Sequence, residues 1–290
     1  MKKRLNQYSG FKKGVFALST LLGFIAVERG THALTDGFTI HRIRSYRPMP
    51  GNFEARPLSD HEKGEVKKIL NQPYFYLTSG SQSFVLASQD GQYVLKFIKQ
   101  HRFRSIFRFC DQSKKQKSLY DLLRSFDLAS NLFKEETGVV YTHLDKSRSL
   151  GCKVDLVDRL KIKHSIELDQ YEYVLQKKMQ TASEKLINLK KSDRLPEAKK
   201  AFDKLLALTK KRSEMGYFDK DPHLIKNFGF DGEGAVELDI GGFVPYSECE
   251  ALSFYEKEIP RIKRKVLPWI QKNYPELLLH AQMRLDSQNS

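Results

Sequence analysis

Hydrophobic and polar positions follow two periods along this chain, and each change of period marks an element. Aromatic and β-branched runs at 74–78, 84–87 and 93–98 are separated by the small residues of 79–83 and by Asp90-Gly91. Short runs bounded in this way predict a β-meander. The period then becomes helical over 118–136, where Leu119, Leu122, Leu123, Phe126, Ala129 or Asn131, Leu132 and Phe133 recur at helical spacing until Thr137-Gly138 stops the helix. Strand-like runs return at 139–144, 153–157 and 171–176. Within 182–212 a second helix is marked by Pro196 near its start. Ala198, Ala201, Phe202, Leu205 and Leu208 form its apolar face, with Lys199, Lys200, Lys204, Lys210, Lys211 and Arg212 on the wet face. Residues 227–239 read as strand, turn, strand around Asp231-Gly232-Glu233-Gly234. Beyond Gly242, helices interrupted by Pro260, Pro268 and Pro275 are expected.

Ahead of the meander, Ser59 or Asp60 is a candidate N-cap for a short helix over 61–72, and residues 46–60 read as a linker or strap. The apolar run 14–27 follows Lys2, Lys3, Arg4, Lys12 and Lys13 and is closed by Glu28-Arg29. It is too short to cross a bilayer comfortably. Three readings stay open for it: signal or signal anchor, short membrane anchor with the domain facing the cytosol, or an amphipathic helix packed on the domain. The expected division is a targeting or anchor segment over 1–45, a strand-rich part over 46–178 and a mainly helical part over 179–290. The fold class is α+β.

Composition adds less. A chain of 290 residues has enough surface to bury one or two cores, and its net charge of +15 favours encounters with nucleotides, nucleic acid or an anionic membrane surface. Basic residues interleaved with Phe103, Phe107 and Phe109 fit a nucleic-acid or headgroup surface, and fit better an amphipathic segment with its phenylalanines inside. Cys110, Cys152 and Cys249 have no metal spacing and form no disulfide framework, so they read as reduced structural thiols.

Candidate chemistry concentrates in EMGYFDKDPHLIKNFGFDGEGAVELDIGG, residues 214–242. The predicted hairpin brings the amide of Asn227 at one end toward the carboxylate of Asp239 at the other. Magnesium suits such a pair, because it keeps most of its waters and takes one or two protein oxygens together with phosphate. His223 with Asp219 and Asp221 would make a metal-hydrolase cluster, which lacks a second histidine.

Here the sequence resembles the protein-kinase-like superfamily. NFGFDGEGAVELDIGG is similar to that family's metal-binding Asn, hairpin and Asp-Phe-Gly triplet, with Ile240 in the place of the phenylalanine. Upstream, Val94-Leu95-Lys96 resembles the Val-Ala-Ile-Lys strand. Laid on the glycine-rich loop, Thr78, Gly80 and Ser83 stand at the three glycine places and Val85 at the valine that covers the base. The resemblance implies a two-lobed protein-kinase-like fold, with an antiparallel β-sheet N-lobe and a mainly helical, truncated C-lobe. It implies ATP and Mg as cofactors. Lys96 would hold the α and β phosphates, Gly80 and Ser83 would cap them, and Asn227 and Asp239 would bind the metal. Asp221, with Asp219 as the alternative, would orient or deprotonate a hydroxyl acceptor; Asp127 would pair with Lys96, and the backbone of 175–178 would meet the adenine edge. The chain departs from the family in its loop glycines, in the spacing from Asp221 to Asn227 and in the lack of an Ala-Pro-Glu segment. The implied function is an atypical kinase-like phosphotransferase acting on a small-molecule, lipid or protein acceptor. The alternatives are a catalytically silent pseudokinase of the same fold and an unrelated basic nucleic-acid or lipid-binding protein.

Overall fold

The structure is a computed structural model that describes residues 2–45, 53, 58–103, 112–145, 150–246 and 258–287. Helix α1 (Lys2–Thr35) runs unbroken until Asp36 and Gly37 take φ values of 52° and 72°. Every described side chain of α1 from Phe16 to Leu34 is exposed, which overturns the reading of this segment as a helix packed on the domain. No helix among the described residues is long and apolar enough to cross a membrane. Phe38 and Ile43, flanking and ending the single turn α2 (Ile40–Ile43), enter the core. The predicted short helix is α3 (Asp60–Leu70). Its cap is reciprocal: Ser59 Oγ accepts from Glu62 N at 3.2 Å while the Glu62 carboxylate accepts from Ser59 N at 2.9 Å. A capping box satisfies two otherwise orphaned amides and contributes about 1 kcal/mol.

The meander forms as β1 (Tyr74–Ser79), β2 (Ser83–Ser88) and β3 (Tyr93–Ile98). Helix α4 (Gln112–Leu132) starts earlier than the hydrophobic spacing predicts and breaks at Phe133. A separate turn, α5 (Lys134–Thr137), follows and is closed by Gly138 in the left-handed region. Strands β4 (Val139–His143), β5 (Lys153–Val157), β6 (Lys163–Glu167) and β7 (Tyr173–Lys177) complete a seven-stranded sheet of order β4-β7-β3-β2-β1-β5-β6. All pairings in it are antiparallel except β1 with β5. β6 escapes the sequence reading because only Ile166 of its five residues is buried, opposite Val154.

The second part comprises β8 (Gln180–Thr181), α6 (Ala182–Lys191), α7 (Leu195–Glu214), β9 (Tyr217–Asp219), β10 (Phe228–Asp231), β11 (Gly234–Glu237), β12 (Phe243–Pro245), α8 (Ile259–Asn273) and α9 (Leu278–Asp286). Pro260 occupies the first turn of α8, where no amide donor is needed, but Pro268 sits inside the helix without ending it. Ile262, Val266 and Ile270 are fully buried on one face of α8 and hold it across the missing hydrogen bond. One core lies under the sheet and a second among α6 to α9. A third joins α4 to Ile98 and Val174 of the sheet and to Ile240 and Phe243. Cys152 is a free, partly buried thiol. Cys110, Cys249, Phe107 and Phe109 lie outside the described residues.

Arg212 corrects the amphipathic reading of α7. Placed with the wet face by its charge, it is instead 2% exposed. It donates to both carboxylate oxygens of Glu237 on β11 and, at 2.7 Å, to Glu258 at the start of α8. The same Glu258 oxygen accepts the amide of Asp219 at 2.7 Å. One guanidinium thus faces three buried carboxyls. Burial pushes Asp219, Glu237 and Glu258 up, and the charge of Arg212 opposes the rise without cancelling it.

Removing the buried cation of this cluster while leaving its acids buried is expected to cost about 3–5 kcal/mol, measured for Arg212→Met by urea unfolding. Because the raised carboxyls keep protons that the unfolded chain releases, their contribution is full below the unfolded pKa and is lost as pH rises through the folded one. Wild-type unfolding free energy should therefore fall from about pH 5 to about pH 8.

Candidate nucleotide cleft

A cleft of about 240 Å³ opens where the sheet, α4 and the β10–β11 hairpin meet. The β1–β2 turn contributes Thr78, Gly80, Ser81, Gln82, Ser83 and Val85 to its lining; β3 contributes Lys96 and α4 contributes Phe126. The hairpin flanks add Lys226, Asn227, Leu238, Asp239 and Ile240. Six of the nine sequence candidates therefore converge here: Gly80, Ser83, Val85, Lys96, Asn227 and Asp239.

Lys96 is fixed by register. Its strand is central, and it pairs with Val85 of β2 and Val174 of β7. Its Nζ donates at 2.6 Å to the main-chain carbonyl of Leu238, which immediately precedes Asp239. Burial pulls the ammonium down to about 8, and the negative charge of Asp239 resists that shift. The hairpin closes through Asn227, whose carbonyl accepts from Leu238 N at 2.6 Å and from Asp239 N at 3.1 Å. These two hydrogen bonds set the side chains of Asn227 and Asp239 at adjacent ends of one ladder. Asn227 Nδ2 donates to Asp221 O at 2.8 Å, which leaves its amide oxygen as the free donor atom for a cation. Asp239 Oδ1 accepts from Gly241 N at 3.2 Å, which leaves its second oxygen. Two hard oxygens at the edge of a cleft suit magnesium.

The turn after Asp239 is clamped to α4. The buried Ser125 hydroxyl donates to Ile240 O at 2.6 Å and accepts from Phe243 N at 2.7 Å. A Cβ at position 242 would overlap Oδ1 of the buried Asp219, so that glycine is required by close approach, whereas one at 241 would meet the movable end of Gln82. Ser125, Gln82, Lys226 and Phe126 are site residues that the sequence reading missed. Only the helical register of Phe126 was a visible signal.

The remaining expectations need correction. Asp127 does not pair with Lys96: it accepts from Asn131 at 2.9 Å one turn along α4, and the side chain that α4 presents to the cleft is Phe126. Neither acid of the 219–221 loop lines the cleft. Asp221 is 62% exposed and forms an ion pair with Lys265 of α8. Asp219 is buried behind the loop, where its Oδ1 accepts from Asp221 N at 2.9 Å. The Gly80 amide is already bonded to Ser83 O at 2.9 Å, so it is no free phosphate donor. At the supposed adenine edge, the amides of Lys177 and Lys178 are taken by Gly138 O at 2.9 Å and Gln92 O at 2.7 Å. No group of three or more His, Cys, Asp or Glu able to hold a metal occurs among the described residues, which removes support from the hydrolase cluster around His223.

The enclosed ammonium of Lys96 should cost stability. Between its folded value of about 8 and the ordinary 10.5, the unfolded chain holds a proton that the folded chain has lost, so wild-type stability rises with pH across that window. Lys96→Met is expected to unfold about 1–3 kcal/mol later than wild type at pH 7, with the gap closing as pH rises beyond 8. Denaturant titrations at several pH values check this.

No protein-family model matches the chain, and no curated protein does. Solved structures resemble it distantly. A 2.2 Å crystal structure of WbdD, described elsewhere as a bifunctional kinase-methyltransferase, shares 14% identity at a TM-score of 0.34, over 61% of this chain and 34% of that one. Rv3197 from Mycobacterium tuberculosis, in complex with erythromycin, shares 14% identity at a TM-score of 0.33, over 79% of this chain and 60% of that one. The chain thus spans about a third of the WbdD chain. The architecture itself is mixed α+β, with a largely antiparallel sheet beside a helical part.

Proposed function

We propose that the chain is a protein-kinase-like protein of two lobes that binds a magnesium-bound nucleoside triphosphate and transfers its terminal phosphoryl group to a hydroxyl acceptor. One observation carries the reading. Lys96 touches the residue beside Asp239, 142 positions away, inside a cleft that also holds Asn227 and the small residues of the β1–β2 turn.

In this reading the Lys96 ammonium exchanges the Leu238 carbonyl for phosphate oxygens, and Lys226 adds a second cation. Gly80, Ser81 and Ser83 admit phosphate because they carry no bulk. Asn227 and Asp239 would hold the magnesium, which supplies charge neutralisation between phosphate oxygens. The hydroxyl acceptor would be oriented by Asp221 once it leaves Lys265, since phosphoryl transfer needs little more of the protein than position and charge. The cleft is smaller than the roughly 300–1,000 Å³ of ligand sites, so admitting the nucleoside requires the sheet and the hairpin to part.

A second reading, a catalytically silent binder of the same fold, is favoured by the Asp221–Lys265 pair and by Lys96 having no acid from α4. Thermal shift and turnover together separate the two. With magnesium-ATP at about ten times Kd, wild type should gain about 1.4 kcal/mol and a few degrees in Tm. That shift should vanish in Lys96→Met and Asp239→Ala. Lys265→Ala, which frees Asp221, should keep the shift and raise ATP turnover if transfer occurs. A shift with no turnover in either protein identifies the silent binder, and no shift in wild type removes both readings.

A further inference from the structure

The most exposed apolar surface of the molecule is α1. Phe16 is 75% exposed and Phe24 71%, and with Leu18, Leu21, Leu22 and Val27 they cover roughly 240° of the circumference at about 100° per residue, the remaining arc carrying the small Ser19, Gly23, Ala26 and Gly30. A second copy or a groove would cover one stripe of such a helix. A helix with large apolar side chains over most of its circumference calls for a surrounding apolar medium. The apolar run 14–27 would be about 21 Å long, short of a hydrocarbon core of about 30 Å.

The base of α1 supplies an independent indication. It is held firmly: Tyr76 donates to Asp36 at 2.5 Å, Phe38 lies edge-on to Phe84 at 5.3 Å, and Arg159 Nη1 donates to Ala33 O at 3.3 Å. That last contact brings the β5–β6 hairpin tip beside the final turn of the helix. Leu160 and Ile162 at this tip are 45% and 52% exposed, and Leu77 on neighbouring β1 is likewise open. Around the same base stand Arg42, Lys99, Arg102, Arg159 and Lys161. Their field is felt at His101, which burial, with Arg42 and then Lys99 and Arg102, holds down at about 4. Exposed apolar side chains ringed by cations at the foot of an apolar helix match the hydrocarbon and headgroup layers of an anionic bilayer.

We propose that α1 inserts, tilted and without crossing, into an anionic phospholipid bilayer, and that the β5–β6 tip and its cationic surround rest on the headgroups. The proposal is independent of the nucleotide reading, and its test uses no nucleotide. The full chain is floated with phosphatidylcholine vesicles with and without phosphatidylglycerol, at low and high salt. Wild type should float with the anionic vesicles and lose much of that binding in salt. Lys161→Glu should lower partitioning about fivefold or more, Leu160→Ser with Ile162→Ser should lower it further, and Leu21→Asp with Leu22→Asp should abolish it. Because these side chains are exposed, unchanged unfolding midpoints would show that the variants fold. The proposal is overturned if wild type does not float with anionic vesicles, or if Leu21→Asp with Leu22→Asp floats like wild type. It is also overturned if the chain sediments as a discrete dimer that this double variant dissociates while no vesicle binding occurs, since a second copy is then the cover.

Discussion

Arg212 is the tie on which the helical part depends. Its guanidinium holds β11 through Glu237 and the start of α8 through Glu258, and Glu258 in turn receives the amide of Asp219. Three segments separate in sequence are joined around one buried cation. Such a cluster is a costly way to hold a fold, since apolar residues of similar volume often do as well. What it adds is direction: the hairpin, the 219–221 loop and α8 are held in one relation, and the flanks of the cleft follow from it.

The cleft itself is a junction of cores. Ile240 and Phe243 belong to the same cluster as α4 and Ile98, while Leu238 offers its carbonyl to Lys96 across the joint. Ser125 clamps the turn from the α4 side. The contact that closes the cleft is thus a hydrogen bond that the protein makes to itself. Asp221, drawn outward to Lys265, stands apart from the cleft that Asn227 lines.

On the opposite side of the β1–β2 turn, Lys99 donates at 2.5 Å to Gly80 O, and Arg102 donates to Ser81 O. These cations also belong to the surround at the foot of α1. The turn that lines the cleft is therefore braced by residues proposed to meet a bilayer.

Much of the framework was legible in the sequence. The meander, the caps of α3, the core face of α7 and the 227–239 hairpin follow from local period and turn chemistry, which neighbours in sequence determine. Lys96, Asn227 and Asp239 were grouped by the family resemblance alone; local period places each on its element, and the structure shows that all three line one cleft. What the sequence could not specify were the relations across elements. Arg212 reads as a solvent-facing charge from spacing alone, and only packing brings two glutamates to it. Asp127 has the right sign to pair with Lys96, but the rotation of α4 turns Phe126 to the cleft instead. Asp221 meets Lys265 because α8 returns over the loop. Periodicity records which face of an element is apolar; which charge that face meets is decided by distant segments that only the tertiary structure brings together.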